Sequence, residues 1–172
     1  MKMLPGTFRT RFLLGFFACV ALLAYALYVQ FELRIMPCPF CILQRIAFAA
    51  LGAVFLLGGL HAPCKPFGRR LYGLLAFAAA AVGAGIAGRH VWVQLFPPPI
   101  PSCGASLGFM LETHSWWSVF RKVLTAYGDC SAIDWRFIGL SMPMWTLIWF
   151  VGLGVWALWA GYSRTRAPSR PA

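Results

Sequence analysis

The chain has 172 residues, 60% of them hydrophobic and 11% charged, where soluble domains run at about 45–50% and about 25%. With a mean hydropathy of +0.73, the apolar surplus exceeds what a soluble core of this length can absorb, and one membrane domain is expected. Disorder, a disulfide-rich secreted miniprotein and a soluble nucleic-acid binder are excluded, the last because the net charge of +11 lies mostly beside the apolar runs.

A spanning helix takes roughly 20 mostly apolar residues, and four stretches qualify. The first covers residues 12–31. The second covers 42–60, with Arg45 one turn inside its start. The third, 71–88, is rich in Ala and Gly, which suits close helix packing in lipid. The fourth, 143–162, contains four Trp and opens at Pro143, where a missing N–H costs little. No internal repeat and no soluble terminal domain is read. The expectation is an all-α membrane protein: a single four-transmembrane-helix domain over 1–172, with outer loops at about 32–41 and 89–142.

Four spans put both termini and the 62–70 loop on one side. That side carries Lys2, Arg9, Arg11, Lys65, Arg69, Arg70, Arg164, Arg166 and Arg170, with no acidic residue. The other side carries Arg34, Arg45, Arg89, Arg121, Lys122 and Arg136 against Glu32, Glu112, Asp129 and Asp134. The positive-inside rule makes the first side cytoplasmic. Ala24-Tyr25-Ala26, behind Arg9 and Arg11, has the form of a signal-peptide cleavage site. The apolar run continues past it to Phe31, so an uncleaved first span is expected.

Of the six cysteines, Cys19 lies within the first span and Cys64 in the cytoplasmic loop, where thiols are kept reduced. Cys38, Cys41, Cys103 and Cys130 fall on the outer side, which suggests two disulfides. Zinc is disfavoured because a four-Cys site usually pairs two short knuckles and only one is present; no metal is expected. A structural role suits a Cys103–Cys130 bridge, which would close a long loop. It suits Cys38–Cys41 poorly, because such tight bridges tend to be the labile or catalytic ones. With Pro39 at the first helical position, Cys38 becomes the N-cap and Cys41 falls in the first turn. The helix dipole favours an anion there, and thiolates at helix N-termini are stabilised. Arg45 follows Cys41 at i,i+4 on the same face. Snorkelling to the headgroups is the plain alternative for that arginine.

These residues resemble the family of disulfide bond formation protein B (DsbB), inner-membrane thiol oxidases that reoxidise the periplasmic oxidant DsbA. The resemblance covers nearly the whole chain. It rests on four spans, on Cys38-Pro39-Phe40-Cys41 followed by Arg45, on Cys103 in the long loop, and on Gly128-Asp129-Cys130 through Gly139-Leu140-Ser141-Met142-Pro143-Met144-Trp145. It implies that Cys38–Cys41 is the disulfide beside a membrane quinone (ubiquinone or menaquinone), with Cys41 as the thiolate at the ring and Arg45 helping to bind it. Cys103–Cys130 would be the shuttle disulfide, attacked at Cys103 by reduced DsbA, a thioredoxin-fold partner. Cys130 would then attack Cys38 and free Cys41. His90, just after the third span, matches a family histidine at the quinone end; the plain alternative is an interfacial histidine satisfied by water. Cys19 and Cys64 match no family redox position. A quinone also fits the absence of flavin, haem and Rossmann fingerprints.

Two loop features accord with this. Phe96-Pro97-Pro98-Pro99-Ile100-Pro101 cannot form a helix and would present Cys103 on an extended arm, unless it is a plain spacer. Ser115 to Gly128 reads as a short amphipathic helix, with Trp116, Trp117, Phe120, Val123, Leu124 and Tyr127 at helical spacing. It would lie in the outer interface or pack on the bundle top. Three rivals remain: a quinone-linked oxidase of the vitamin K epoxide reductase type, a thiol reductase running electrons outward, and a membrane scaffold or transporter with structural disulfides. The first would carry its C-x-x-C on a late helix, and the second needs paired cytoplasmic cysteines, for which Cys19 and Cys64 are a poor match. A transporter is weakened because no span holds an internal acid–base pair.

Overall fold

The computed structural model describes residues 7–32, 34, 37–96 and 136–163. Four helices run through them: α1 (Phe8–Phe31), α2 (Pro39–His61), α3 (Pro66–Leu95) and α4 (Met142–Tyr162), with a hairpin of β1 (Arg136–Phe137) and β2 (Leu140–Ser141) ahead of α4. All four helices are long and apolar enough to cross a membrane. The chain is an all-α four-span bundle.

Each helix begins where its sequence supplies a start signal. Thr7 caps α1, its hydroxyl accepting from the Thr10 N–H at 3.4 Å. Pro39 opens α2 behind Cys38, Pro66 opens α3 behind Lys65, and Pro143 lies in the first turn of α4 behind Ser141. Helix α2 stops at Ala62, which takes the left-handed conformation (φ 39°) that ends many helices. The chain reverses there, and α3 runs back antiparallel to α2.

Helix α3 differs most from the sequence expectation of a span over 71–88. Its 30 residues make a rod of about 45 Å, longer than the roughly 30 Å hydrocarbon core. The apolar run is interrupted at Arg69, Arg70 and Arg89, but the helical backbone hydrogen bonds continue past them. His90 therefore lies inside a helix and not just after one.

The buried residues of α3 are Gly73, Ala76, Ala80, Gly83, Ala87, His90 and Val93. They recur every three or four positions as one stripe of mostly small side chains; Gly73, Ala80 and Gly83 meet α4, and His90 and Val93 meet Phe40 of α2. Gly73 and Gly161 meet nearly backbone to backbone, so that a Cβ on Gly73 would lie 3.2 Å from Gly161 Cα. A Cβ on Gly83 would run into the Phe150 ring, which stacks on Phe48 of α2 at 3.9 Å between centroids. Small residues let backbones approach in lipid, where burying apolar surface gives no special reward. Helix α1 rests on α2 through an edge contact of Phe12 with Phe55 at 5.3 Å. At the Thr7 end it is tied to α4: the Arg11 guanidinium sits 4.2 Å over Trp159 and donates to Ser163, and Trp156 Nε1 donates to the Arg11 carbonyl at 3.1 Å.

The hairpin pairs Arg136 with Ser141 and Phe137 with Leu140. Its turn residues, Ile138 (φ 52°) and Gly139 (φ 77°), both have positive φ, the requirement of a type I′ turn. Two-residue strands leave no alternation to read, so from sequence this segment reads only as part of the 89–142 loop. Ser141 Oγ donates to Gln94 Oε1 at 2.7 Å and fastens the hairpin to the end of α3. The expected interfacial helix, and Cys103 and Cys130 with it, lie outside the described residues.

Candidate functional site

Up-down topology gathers the end of α1, the start of α2, the end of α3 and the start of α4 at one end of the bundle. Cys38, Cys41, Arg45 and His90 meet there.

Cys38 is the N-cap of α2, extended at φ −70° and ψ 164°. Its sulfur accepts the Cys41 backbone N–H at 3.4 Å, one of the donors a helix start leaves without an internal partner. The helix dipole thus acts first on Cys38. Cys41 lies one turn on, with its sulfur 3.1 Å from that of Cys38. The cap geometry holds the two sulfurs side by side across the first turn of α2.

His90 is buried, 2% exposed, and projects from the last turns of α3. Its Nε2 is 3.7 Å from Cys38 Sγ and its ring stacks on Phe40 at 5.3 Å. Its Nδ1 meets the Gln44 side-chain amide at 3.2 Å. The two sulfurs and the imidazole lie within 4.8 Å of one another. A water-satisfied interfacial histidine does not describe this ring.

Sequence reasoning passed over two polar residues here. Gln44, 4% exposed, spans from His90 to Thr146, whose hydroxyl lies 2.9 Å from Gln44 Oε1 and 2.9 Å from the Pro143 carbonyl. The signal was present on α2: Gln44 falls midway between the buried Phe40 and Phe48, so it had to face inward. Thr146 carried no such sign, since its partner is on another helix.

Arg45 points across to α1, where it donates to Gln30 Oε1 and, at 3.0 Å, to the Ala26 carbonyl. Its position beside Cys41 in sequence does not make that thiol its hydrogen-bond partner; it braces α1 against α2. Among the described residues, two of the guanidinium's five donors are engaged in this way. Cys19 is buried in α1, where a Cβ on Gly52 would touch it at 3.3 Å. Cys64 is exposed at the opposite end.

A family model described as "Disulfide bond formation protein DsbB" matches residues 8–160. The chain is 60% identical over 162 residues, 94% of both chains, to "Disulfide bond formation protein B" of Xanthomonas euvesicatoria pv. vesicatoria. It is 60% identical over 164 residues, 95% of both, to the protein of that name in Xanthomonas campestris pv. campestris. To that of Xylella fastidiosa it is 52% identical over 167 residues, 96% of both.

Proposed function

Because the chain belongs to the DsbB family of disulfide bond formation proteins, we propose that this multi-pass membrane protein is a thiol:quinone oxidoreductase that reoxidises a periplasmic DsbA-like dithiol. Its place is the bacterial inner membrane, with both termini cytoplasmic. The observation that carries the reading is the Cys38–Cys41 pair, with sulfurs 3.1 Å apart, at the membrane-facing start of α2. A vicinal dithiol held so closely is arranged to open and close as a disulfide.

Reduced DsbA attacks Cys103 and releases Cys130; Cys130 attacks Cys38 and releases Cys41; resolution of the mixed disulfides then oxidises DsbA, re-forms Cys103–Cys130 and leaves Cys38 and Cys41 as a dithiol. Each exchange passes one pair of electrons inward, and each needs a thiolate as attacking group. In the exchange with Cys130, Cys38 becomes the bonded sulfur and Cys41 leaves as the thiolate, in the first turn of α2, where the helix dipole favours an anion. The residues at this end fit a quinone. Cys41 and Arg45 are partly exposed, and a guanidinium's N–H groups suit a carbonyl oxygen as acceptor. Ubiquinone or menaquinone, when bound, accepts the two electrons and two protons that the dithiol gives up.

The test is quinone reduction by the purified protein in detergent, driven by reduced DsbA. Wild type should reduce quinone rapidly and Cys41→Ala should not. A wild type that is folded, has both disulfides and reduces nothing would reject the oxidase and favour a scaffold.

A further inference from the structure

The proton count around Thr146 determines which way the buried chain Thr146–Gln44–His90–Cys38 runs. A hydroxyl has one proton to give. Thr146 Oγ nevertheless faces two oxygens at 2.9 Å, Gln44 Oε1 and the Pro143 carbonyl. The carbonyl can only accept. If the Gln44 amide also presents oxygen, one of the two contacts is an unbonded meeting of oxygens inside the protein. The nitrogen and oxygen of a terminal amide are told apart by their partners. Turning the amide by half a rotation resolves the conflict: its N–H₂ donates to Thr146 Oγ, and Thr146 donates to Pro143. The amide oxygen then faces His90 Nδ1 at 3.2 Å and requires a proton there. A neutral imidazole has one N–H, so Nε2 is left with its lone pair toward Cys38 Sγ, 3.7 Å away.

We propose that His90 is the proton acceptor of Cys38, and that Gln44, itself fixed by Thr146, is the positioning residue that holds His90 in the Nδ1–H tautomer. The deprotonation is balanced: the Cys38 S–H bond breaks, the proton forms the Nε2–H bond, and a thiolate–imidazolium pair results. The thiolate accepts from the Cys41 N–H at 3.4 Å and from the Cys41 thiol at 3.1 Å. The imidazolium keeps its Nδ1–H on the Gln44 oxygen. When the dithiol closes to a disulfide, two electrons leave to the quinone acceptor and two protons leave the sulfurs, the first through His90. The catalytic part of this assignment rests on the oxidase reading; the protonation state of Cys38 does not.

Other ionisable groups at this end, among the residues whose side chains are described, are Cys41 and Arg45 on α2, Arg89 on α3, and Tyr25, Tyr28 and Glu32 on α1 with Arg34 beyond it. The first turns of α4 bring none. This mostly cationic surround favours a thiolate in wild type and variants alike, so a comparison of Gln44 variants isolates the chain.

The experiment is alkylation of the fully reduced, full-length protein in detergent by iodoacetamide across pH, with each cysteine followed by mass spectrometry. Neither quinone nor DsbA is present, so a failed oxidase reading would leave the readout intact. In wild type, Cys38 should reach its maximal rate at lower pH than the exposed Cys64. Gln44→Leu should move the Cys38 profile to higher pH and slow its neutral-pH alkylation by about tenfold, the effect of a one-unit shift, with Cys64 unchanged. Gln44→Glu, whose carboxylate also accepts from Nδ1–H, should restore the wild-type profile. Thr146→Val should shift it partly and Thr146→Ser restore it, which keeps the test open if Gln44→Leu does not fold. A Cys38 profile identical in wild type and every folded Gln44 and Thr146 variant would overturn the proposal, as would failure of folded Gln44→Glu to restore it.

Discussion

Arg45 illustrates how a side chain's work is set by what lies across from it. Helix α1 ends without a basic residue in its last turn, although helix C-termini favour cations. Arg45 supplies that charge from α2, forked between Gln30 and the Ala26 carbonyl. Lys offers a point charge in place of the fork. Hydrogen bonds to charged groups are worth about 1.5–3 kcal/mol, and the partial exposure of Arg45 puts its contribution at the lower end. Arg45→Ala should therefore lower the thermal unfolding midpoint in detergent and also weaken quinone reduction. Gln30→Ala should lower the midpoint by less and leave the charge in place. Thermal melts and quinone KM values on the same preparations would check both; Arg45→Lys with an unchanged midpoint would show that the fork does not hold α1.

At the scale of the helices, the α3–α4 seam depends on what its glycines omit. Gly83 lies under the Phe150 ring, while Gly85 and Gly88 on the same helix face open space. Gly83→Leu should destabilise the bundle by about 1–3 kcal/mol, the usual cost of overpacking, and Gly85→Ala should be neutral or slightly stabilising. Unfolding midpoints of the pair would test this, and Phe150→Leu should recover part of the loss in Gly83→Leu by making room. The Ala/Gly composition of this helix made close packing legible in the sequence, but composition does not say which helix receives the stripe. The same limit applied to the site. Cys38, Pro39, Cys41 and Arg45 lie on one short segment whose spacing fixes the cap and the shared face, so the N-cap position of Cys38 could be read directly. The His90–Gln44–Thr146 contacts join three helices, and a seam of that kind emerges only once the helices are placed side by side. The length of α3 was hidden for a different reason: hydropathy reports the lipid boundary, and a helix may cross it.

For the whole molecule, function depends on which end of the bundle faces out. The end that carries Cys38, Cys41 and His90 must face the periplasm if a periplasmic dithiol is to be served. The opposite end carries Arg11, Lys65, Arg69 and Arg70, and basic residues flanking spans are retained in the cytoplasm. Cys64, exposed in the connection between α2 and α3, marks that basic end with a thiol. A membrane-impermeant maleimide added to spheroplasts, with sites mapped by mass spectrometry, should label Cys64 only after the membrane is permeabilised. Cys38 and Cys41, once reduced, should react without permeabilisation. Because the helices alternate in direction, the two ends cannot face the same side, and each thiol set serves as the control for the other. Labelling of Cys64 from outside, with Cys38 and Cys41 protected, would invert the bundle. The dithiol would then face the reducing cytoplasm, and reoxidation of a periplasmic partner through this site would be excluded whatever chemistry the pair performs.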